Sequence, residues 1–500
     1  MGRRGISQTV ILMMGLVGMP SCTSSGGSSR EPLLLITECR GIQTSVDVDL
    51  PVFVASQPAG TMFCLAAGTY RVTAPLVLKG GQKLIGAGSG KTIISGAKVT
   101  SATKRGSYWT IQGQASLGQS MLPGTTSQCR PVGGRDPKDM CVYTDQVFLD
   151  DKSLWQVGSL GELSSGEFFW DYTANKIYLA DDPSGRNLEL SATHDGISGD
   201  AGVEIRNLLV EKFGNGVQTG ALSASSNWLI AGVEVRLNHG GGVHMGPGTV
   251  VRDSFIHDNG ELGIAGGQAA CSRAKGIVLE DSELSYNNAA GYNWGWEAGA
   301  TKWTHTDGLI VRNNYVHDNY GQGLWTDGFN INTVYEDNVV EDNYGAGIEH
   351  ELGYAAVIRN NEIRGNAFAH PYAAEGFRSG IFIAEARDVE VYGNTVEGNA
   401  GGIVALQQGR IGDVCGIGLN NEVANLFIHD NTIVQTTNLA AGLRVTIPDP
   451  SYFTSKNNRW EENEYLLDDR NAPRFLWQSG FIDADAWRSF GLDQSGAILD

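Results

Sequence analysis

From about residue 275 to residue 435 the chain repeats one pattern of apolar and polar positions. Short runs such as "IVLED", "LIVRN", "TVYED", "AVIRN", "VEVYG" and "LFIHD" place apolar residues at alternate positions, the two-residue period of a half-buried strand. A polar corner follows each run, marked by Ser282, Asn314, Asn338, Asn361, Asn394 and Asn431. A second short strand comes next, with one deeply apolar position at Val316, Val340, Ile363, Val396 or Ile433. Another corner, at Asn319, Asn343, Asn366 or Asn399, leads through Gly into a third strand beginning at Leu324, Ile348, Ile381 or Ile403. Asn314, Asn338 and Asn361 fall 24 and 23 residues apart, and other units are longer by loops.

A unit of three strands and two corners cannot bury its own apolar face. Successive units must therefore stack, with their strands paired in parallel ~4.8 Å apart. Asn suits the corners because it tolerates a left-handed backbone and its amide can bond the Asn of the next unit. The solvent side of the first strand reads Glu280, Arg312, Glu336, Arg359, Tyr392, His429, which sets opposite charges on neighbouring units. His257 and His317 share an outward column one strand later and read as solvated.

This pattern resembles the right-handed parallel β-helix proteins of the pectin-lyase-like superfamily, over roughly residues 45–100 and 190–450. The resemblance implies an all-β fold: a right-handed parallel β-helix solenoid with a small β-rich insertion and a short C-terminal cap. The rhythm breaks over 101–190, where "VFLDDKSLWQVGSL" and "GEFFWDYTANKIYLADDP" read as hairpins of an inserted subdomain. The expected division is a signal peptide over 1–22, a tether over 23–44, first coils over 45–100, the insertion, the main helix over 191–465 and a cap over 466–500. Within the cap, "DADAWRSFGLD" predicts a short helix capped by Asp483 or Asp485.

The chain of 500 residues carries a formal net charge of −19 and 67 glycines. That field repels phosphate backbones and argues against a nucleic-acid partner. Arg3-Arg4, the apolar run "VILMMGLVGM" and then Cys22 with "TSSGGSSR" resemble a bacterial lipoprotein signal. The protein is therefore expected to be exported, lipid-anchored or secreted, monomeric, and in contact with membrane only through that anchor. In an oxidising setting Cys39, Cys64, Cys129, Cys141, Cys271 and Cys415 favour disulfides, with Cys39–Cys64 and Cys129–Cys141 the local pairs.

Candidate chemistry lies on the third strand. "GLWTD" (323–327) returns one unit later as "GIEHE" (347–351), so with Leu324 and Ile348 inward, Asp327 stacks over Glu351. Glu349 lies on the same face, ~6.6 Å along from Glu351. Carboxylates so close repel, and at least one should hold its proton more tightly than usual. The insertion "GYNWGWEAGATKWTHTDG" at the same edge adds Trp294, Trp296, Glu297, Lys302, Trp303 and His305. Aromatic rings beside acids suit a sugar-binding cleft, where rings stack on pyranose faces and acids bind hydroxyls or move protons. Trp296-Glu297-Ala298-Gly299, Lys302, Trp325-Thr326-Asp327 and Glu351 match positions that the resemblance marks, whereas the Glu349 position is usually hydrophobic there.

The expected catalytic residues are Asp327, Glu351, Glu297 and Lys302. The expected substrate contacts are Trp325, Trp294, Trp296, Trp303, Glu349 and His305. Three functions stay open. One is hydrolysis of a polysaccharide by paired carboxylates, whose separation sets the stereochemistry. Another is elimination, with Lys302 as base and Ca2+ on Asp327, Glu349 and Glu351. The third is glycan binding without catalysis, since a β-helix scaffolds many functions.

Overall fold

The computed structural model describes residues 39–500 except 269–270, 369–377, 411, 413–419, 436–437 and 479. The apolar leader, Cys22 and Cys415 lie outside the described residues. Three long parallel sheets wind around one axis as a right-handed parallel β-helix, each coil contributing one strand to each sheet. In one coil the three strands are Ile310–Arg312, Tyr315–His317 and Leu324–Asp327. In the next they are Ile331–Glu336, Val339–Glu341 and Ile348–Glu351.

Alternation decides what faces inward. Val311, Tyr335, Ile358, Val391, Ile428 and Trp460 form one interior column, and Val316, Val340, Ile363, Val396, Ile433 and Tyr465 another. Leu324, Ile348, Ile381 and Ile403 form the third. The outward column pairs as the alternation requires, with Arg312 on Glu280 at 2.7 Å and Arg359 on Glu336 at 2.5 Å. These half-exposed pairs contribute a fraction of a kcal/mol each.

Two asparagine ladders run up the corners. Asn314 Nδ2 donates to Asn338 Oδ1 at 3.0 Å, and Asn338, Asn361, Asn394 and Asn431 each donate to the next Asn at 2.9 Å. The second ladder passes from Asn238 through Asn259, Asn287, Asn319, Asn343 and Asn366 to Asn399. The two tasks expected of one Asn are divided between neighbours. The left-handed residue is the one before, such as Asn313, Asp337, Asn360 and Asp342. The buried ladder Asn keeps ordinary backbone angles and supplies the amide.

His257 and His317 are not simply solvated. His257 meets Asp258 at 2.7 Å and Glu234 at 3.3 Å and stacks on Phe255. His317 repeats this with Asp318, Glu283 and Tyr315, and His429 with Asp430, Glu390 and Phe427.

Both ends are plugged. The helix Leu50–Ser56, begun by Asp49 accepting from Val52 N, lays Leu50 and Val54 on the first coils. At the far end Asp483 caps the helix Ala484–Ser489, whose Trp487 packs with Trp460, Phe475 and Trp477. Covering the last coil in this way removes an open sheet edge. Between Ala97 and Ser191 the chain leaves the helix and forms two small sheets. Phe168, Trp170, Ile177, Leu179, Leu188 and Leu190 give these sheets their own core. Cys129–Cys141 is a disulfide in this segment, and Cys39, Cys64 and Cys271 are also disulfide-bonded. No helix among the described residues is long and apolar enough to cross a membrane.

Candidate functional site

The outward face of the third sheet carries the candidate residues. Register sets Trp325 beside Glu349 and Asp327 beside Glu351 on neighbouring strands. One coil earlier the strand Gly299–Thr304 pairs Trp303 with Thr326, which points Trp303 inward and leaves Lys302 outward.

Lys302 is the centre of the cluster. Its ammonium donates to the Trp296 carbonyl at 2.5 Å, lies 3.0 Å from Glu297 Oε2 and 2.9 Å from Asp327 Oδ2, and sits 3.8 Å from the centre of the Trp325 ring. Its side chain is 5 % exposed. Burial alone would favour the neutral amine, but Asp327 and Glu297 outweigh it and hold the ammonium more firmly than in water.

The acids differ from one another. Burial, reinforced by the Asp327 charge, raises the Glu351 carboxyl above the usual range, although Arg410 opposes this. Glu351 Oε1 is ion-paired with Arg410, and Oε2 accepts from Trp325 Nε1 at 3.3 Å. Glu349 is buried beside Gln322, and its carboxyl is pushed well up by burial and by its neighbours Glu351 and Asp327. A further acid, Glu261, is fully buried near Glu297 and Lys302. Its Oε2 accepts from Gln218 N at 2.7 Å, its Oε1 has no partner, and burial raises its carboxyl strongly.

The aromatic residues do not all line a cleft. Trp303 is fully buried in the solenoid core, where Gly266 on the preceding coil makes room for it, since a Cβ there would lie 2.8 Å from the indole. Trp294 is buried against Tyr344. Trp325 is 3 % exposed beneath the Lys302 ammonium, so it offers no open face. Trp296 alone of the four is open, at 44 % exposure, with its Nε1 donating to Pro123 O. His305 is half-buried against Phe329, and burial together with Arg273 lowers its affinity for a proton. His350 points inward, as its alternation requires, bonded to Thr326 Oγ1 at 2.8 Å.

The acids do not form a cation cage. Among the described residues no group of three or more His, Cys, Asp or Glu could hold a metal ion. Asp327 engages Lys302, Glu351 engages Arg410 and Trp325, and Glu349 is packed away. The Ca2+ set of Asp327, Glu349 and Glu351 is not supported by this donor geometry.

Three contributors escaped the sequence pattern. Arg410 reaches Glu351 from the loop after the strand Ile403–Gln407, and Glu385 holds Arg410. The inserted segment also builds the site edge: Asn293 N donates to Gln128 O at 2.9 Å, and Asn293 Nδ2 donates to Ser127 O at 2.8 Å. These contacts span more than 160 residues, and no local periodicity signals them. A cavity of about 440 Å³ lies elsewhere, between the inserted subdomain and the helix, lined by Trp155, Tyr143 and His239 and by none of Glu261, Glu297, Asp327, Glu349 and Glu351.

Comparisons agree on the fold. Residues 215–377 match the family described as right handed beta helix region. No curated protein matches the chain in sequence. Among solved structures the chain is similar to XylC, solved in complex with xylose, at 11% identity and a TM-score of 0.57, covering 84% of this chain and 80% of that one. It is also similar to the A-module of the Azotobacter vinelandii mannuronan C-5 epimerase AlgE4, at 15% identity and a TM-score of 0.44, over 84% and 88% of the two chains. A PL6 family polysaccharide lyase from Pseudopedobacter saltans aligns at 10% identity and a TM-score of 0.44, over 92% of each. The family match and the likeness to XylC support the fold alone.

Proposed function

We propose that the protein is an exported carbohydrate-active enzyme that hydrolyses glycosidic bonds of a polysaccharide, with Glu351 as proton donor and Asp327 as its partner carboxylate. The observation that carries this reading is the division between two neighbouring acids. Asp327 faces a buried ammonium at 2.9 Å, whereas burial and the Asp327 charge raise the Glu351 carboxyl in spite of its ion pair with Arg410. Hydrolysis needs one carboxyl group that gives a proton and a second that stays ionised.

In this mechanism Glu351 protonates the glycosidic oxygen as the bond to the anomeric carbon breaks. Asp327 attacks that carbon and forms a glycosyl ester. The Glu351 carboxylate then takes a proton from water as the water displaces Asp327, which restores both groups. Register partners sit ~4.8 Å apart along the backbone, nearer the ~5–5.5 Å carboxyl spacing of retaining enzymes than the ~6.5–9.5 Å of inverting ones. The product should therefore keep its anomeric configuration. Trp296 is the exposed ring on which a sugar can stack, and Glu297 with Lys302 keeps Asp327 oriented.

Elimination by Lys302 would require a neutral amine able to accept a proton. Three oxygen acceptors and a raised proton affinity work against that role. The test is a panel of neutral and uronate-containing glycans, read for new reducing ends and for absorbance of unsaturated sugars, with and without EDTA. Reducing ends without unsaturated product, unchanged by EDTA and absent in Glu351→Gln, are expected. Unsaturated product would overturn hydrolysis, and binding with neither signal would leave only a glycan-binding role.

A further inference from the structure

One buried acid does no work in the mechanism above, yet it collects four donors. The Glu385 side chain is 0 % exposed. Its Oε1 accepts from Gln407 Nε2 at 3.0 Å, Gln408 N at 3.0 Å and Arg410 N at 2.7 Å. Its Oε2 accepts from Arg410 Nε. The guanidinium is therefore fixed at both its backbone and its side chain, and its free edge, Nη1, meets Glu351 Oε1. Trp325 Nε1 holds the other oxygen of Glu351 from the preceding coil.

We propose that Arg410, locked by Glu385, is the positioning residue that holds the Glu351 carboxyl in its working orientation opposite Asp327. The inference rests on the hydrolytic reading and adds to it a control from outside the acidic strands. A Glu side chain has three rotatable bonds, and a proton donor must be held to a fraction of an ångström to act on one oxygen of the substrate. A planar, forked guanidinium presents separate N–H groups to two carboxylates in one fixed plane, whereas an ammonium holds both through a single atom and fixes no plane. Glu351 also faces Asp327, Glu349 and Lys302, so removing Arg410 leaves two acids and one more distant cation around it. Asp327 would then dominate, and Glu351 would hold its proton to higher pH.

Arg410→Ala in the full-length protein should lower kcat on the order of 10²-fold, with KM little changed, and move the alkaline limb of the kcat profile to higher pH. Millimolar ethylguanidinium should restore part of the lost rate, a readout that a merely structural arginine would not give. Arg410→Lys should stay slow, and Glu385→Gln should lose less than Arg410→Ala in the same direction. A kcat and pH profile like those of the wild type, or a loss that ethylguanidinium leaves untouched, would overturn the role. Glu351→Gln separates the two claims. Wild-type turnover in that variant sinks the hydrolytic reading, whereas an inactive Glu351→Gln beside a fully active Arg410→Ala sinks only the positioning role. If no glycan is turned over, the carboxyl 13C resonance of Glu351, assigned by its loss in Glu351→Gln, decides the matter. It must shift in Arg410→Ala with a higher titration midpoint, and an unchanged resonance overturns the role.

Discussion

The same two outward positions of the third sheet carry opposite chemistry on adjacent coils. On the coils of 323–351 they hold Trp325 with Asp327, then Glu349 with Glu351. On the next two they hold Phe382 with Ala384, then Val404 with Leu406, all buried. Strand, register and spacing are alike, so the backbone does not require the acids. An apolar pair fits this face, as the later coils demonstrate, and burying carboxylates there costs free energy. A face that could be apolar, yet gathers three acids and two cations, carries a cost in stability that the proposed chemistry would account for.

The largest effect expected from breaking this contrast is on turnover. Asp327→Asn and Glu351→Gln should each reduce hydrolysis by about 10²–10⁴-fold, measured on whichever glycan the panel identifies, while glycan binding persists. Loss of binding together with activity would point to a role in ground-state recognition instead.

Next is Lys302→Met, which leaves Glu297 and Asp327 facing a buried apolar chain. Removing one partner of a buried ion pair costs about 3–5 kcal/mol, so the urea midpoint should fall well below that of wild type. By the same logic Asp327→Asn should be milder, because Lys302 keeps Glu297 at 3.0 Å. A Lys302→Met protein as stable as wild type would mean that the ion pairs give nothing net.

A third experiment converts one coil toward the other. Glu349→Leu copies the apolar character of Phe382, and Glu349→Gln removes the charge alone. Because the folded carboxyl holds its proton more tightly than the unfolded one, the folded state binds more protons above the unfolded value of ~4.3. Wild-type stability therefore falls as pH rises from there toward the raised value of the folded state. Both variants should match wild type near pH 4 and melt higher than it at neutral pH. A constant difference across pH would show that packing, not ionisation, is responsible.

The smallest effects belong to the scaffold's own charges. His257, between Asp258 and Glu234, also binds its proton more tightly when folded, despite the opposing effect of burial. Its contribution is full below ~6.5 and is lost as pH rises through the raised folded value. His257→Gln should thus destabilise more at pH 6 than at pH 9. Arg312→Ala, on a half-exposed pair with Glu280, should change stability by at most about 0.5 kcal/mol. Thermal melts across pH read both.

The winding of the chain was legible because it is periodic. Alternation fixed which residues of each strand face inward, and Asn314, Asn338 and Asn361 marked the coils because an amide ladder needs the same residue at each level. The stacking of Asp327 on Glu351 followed from that register alone. The helix over 50–56 was missed, as a seven-residue segment has little period to detect.

What the amino-acid order determined by itself was therefore everything that repeats: the coil, its interior and the row of acids. Tertiary structure decided what does not repeat. The pairing of Gly299–Thr304 with the coils on either side set Trp303 in the core, and the insertion's path left Trp296 open against Pro123. A loop 59 residues beyond Glu351 delivered Arg410 to it. Such contacts depend on where long excursions return, and a solenoid constrains neighbouring coils strongly while leaving the ends of its loops free to meet partners far away in sequence.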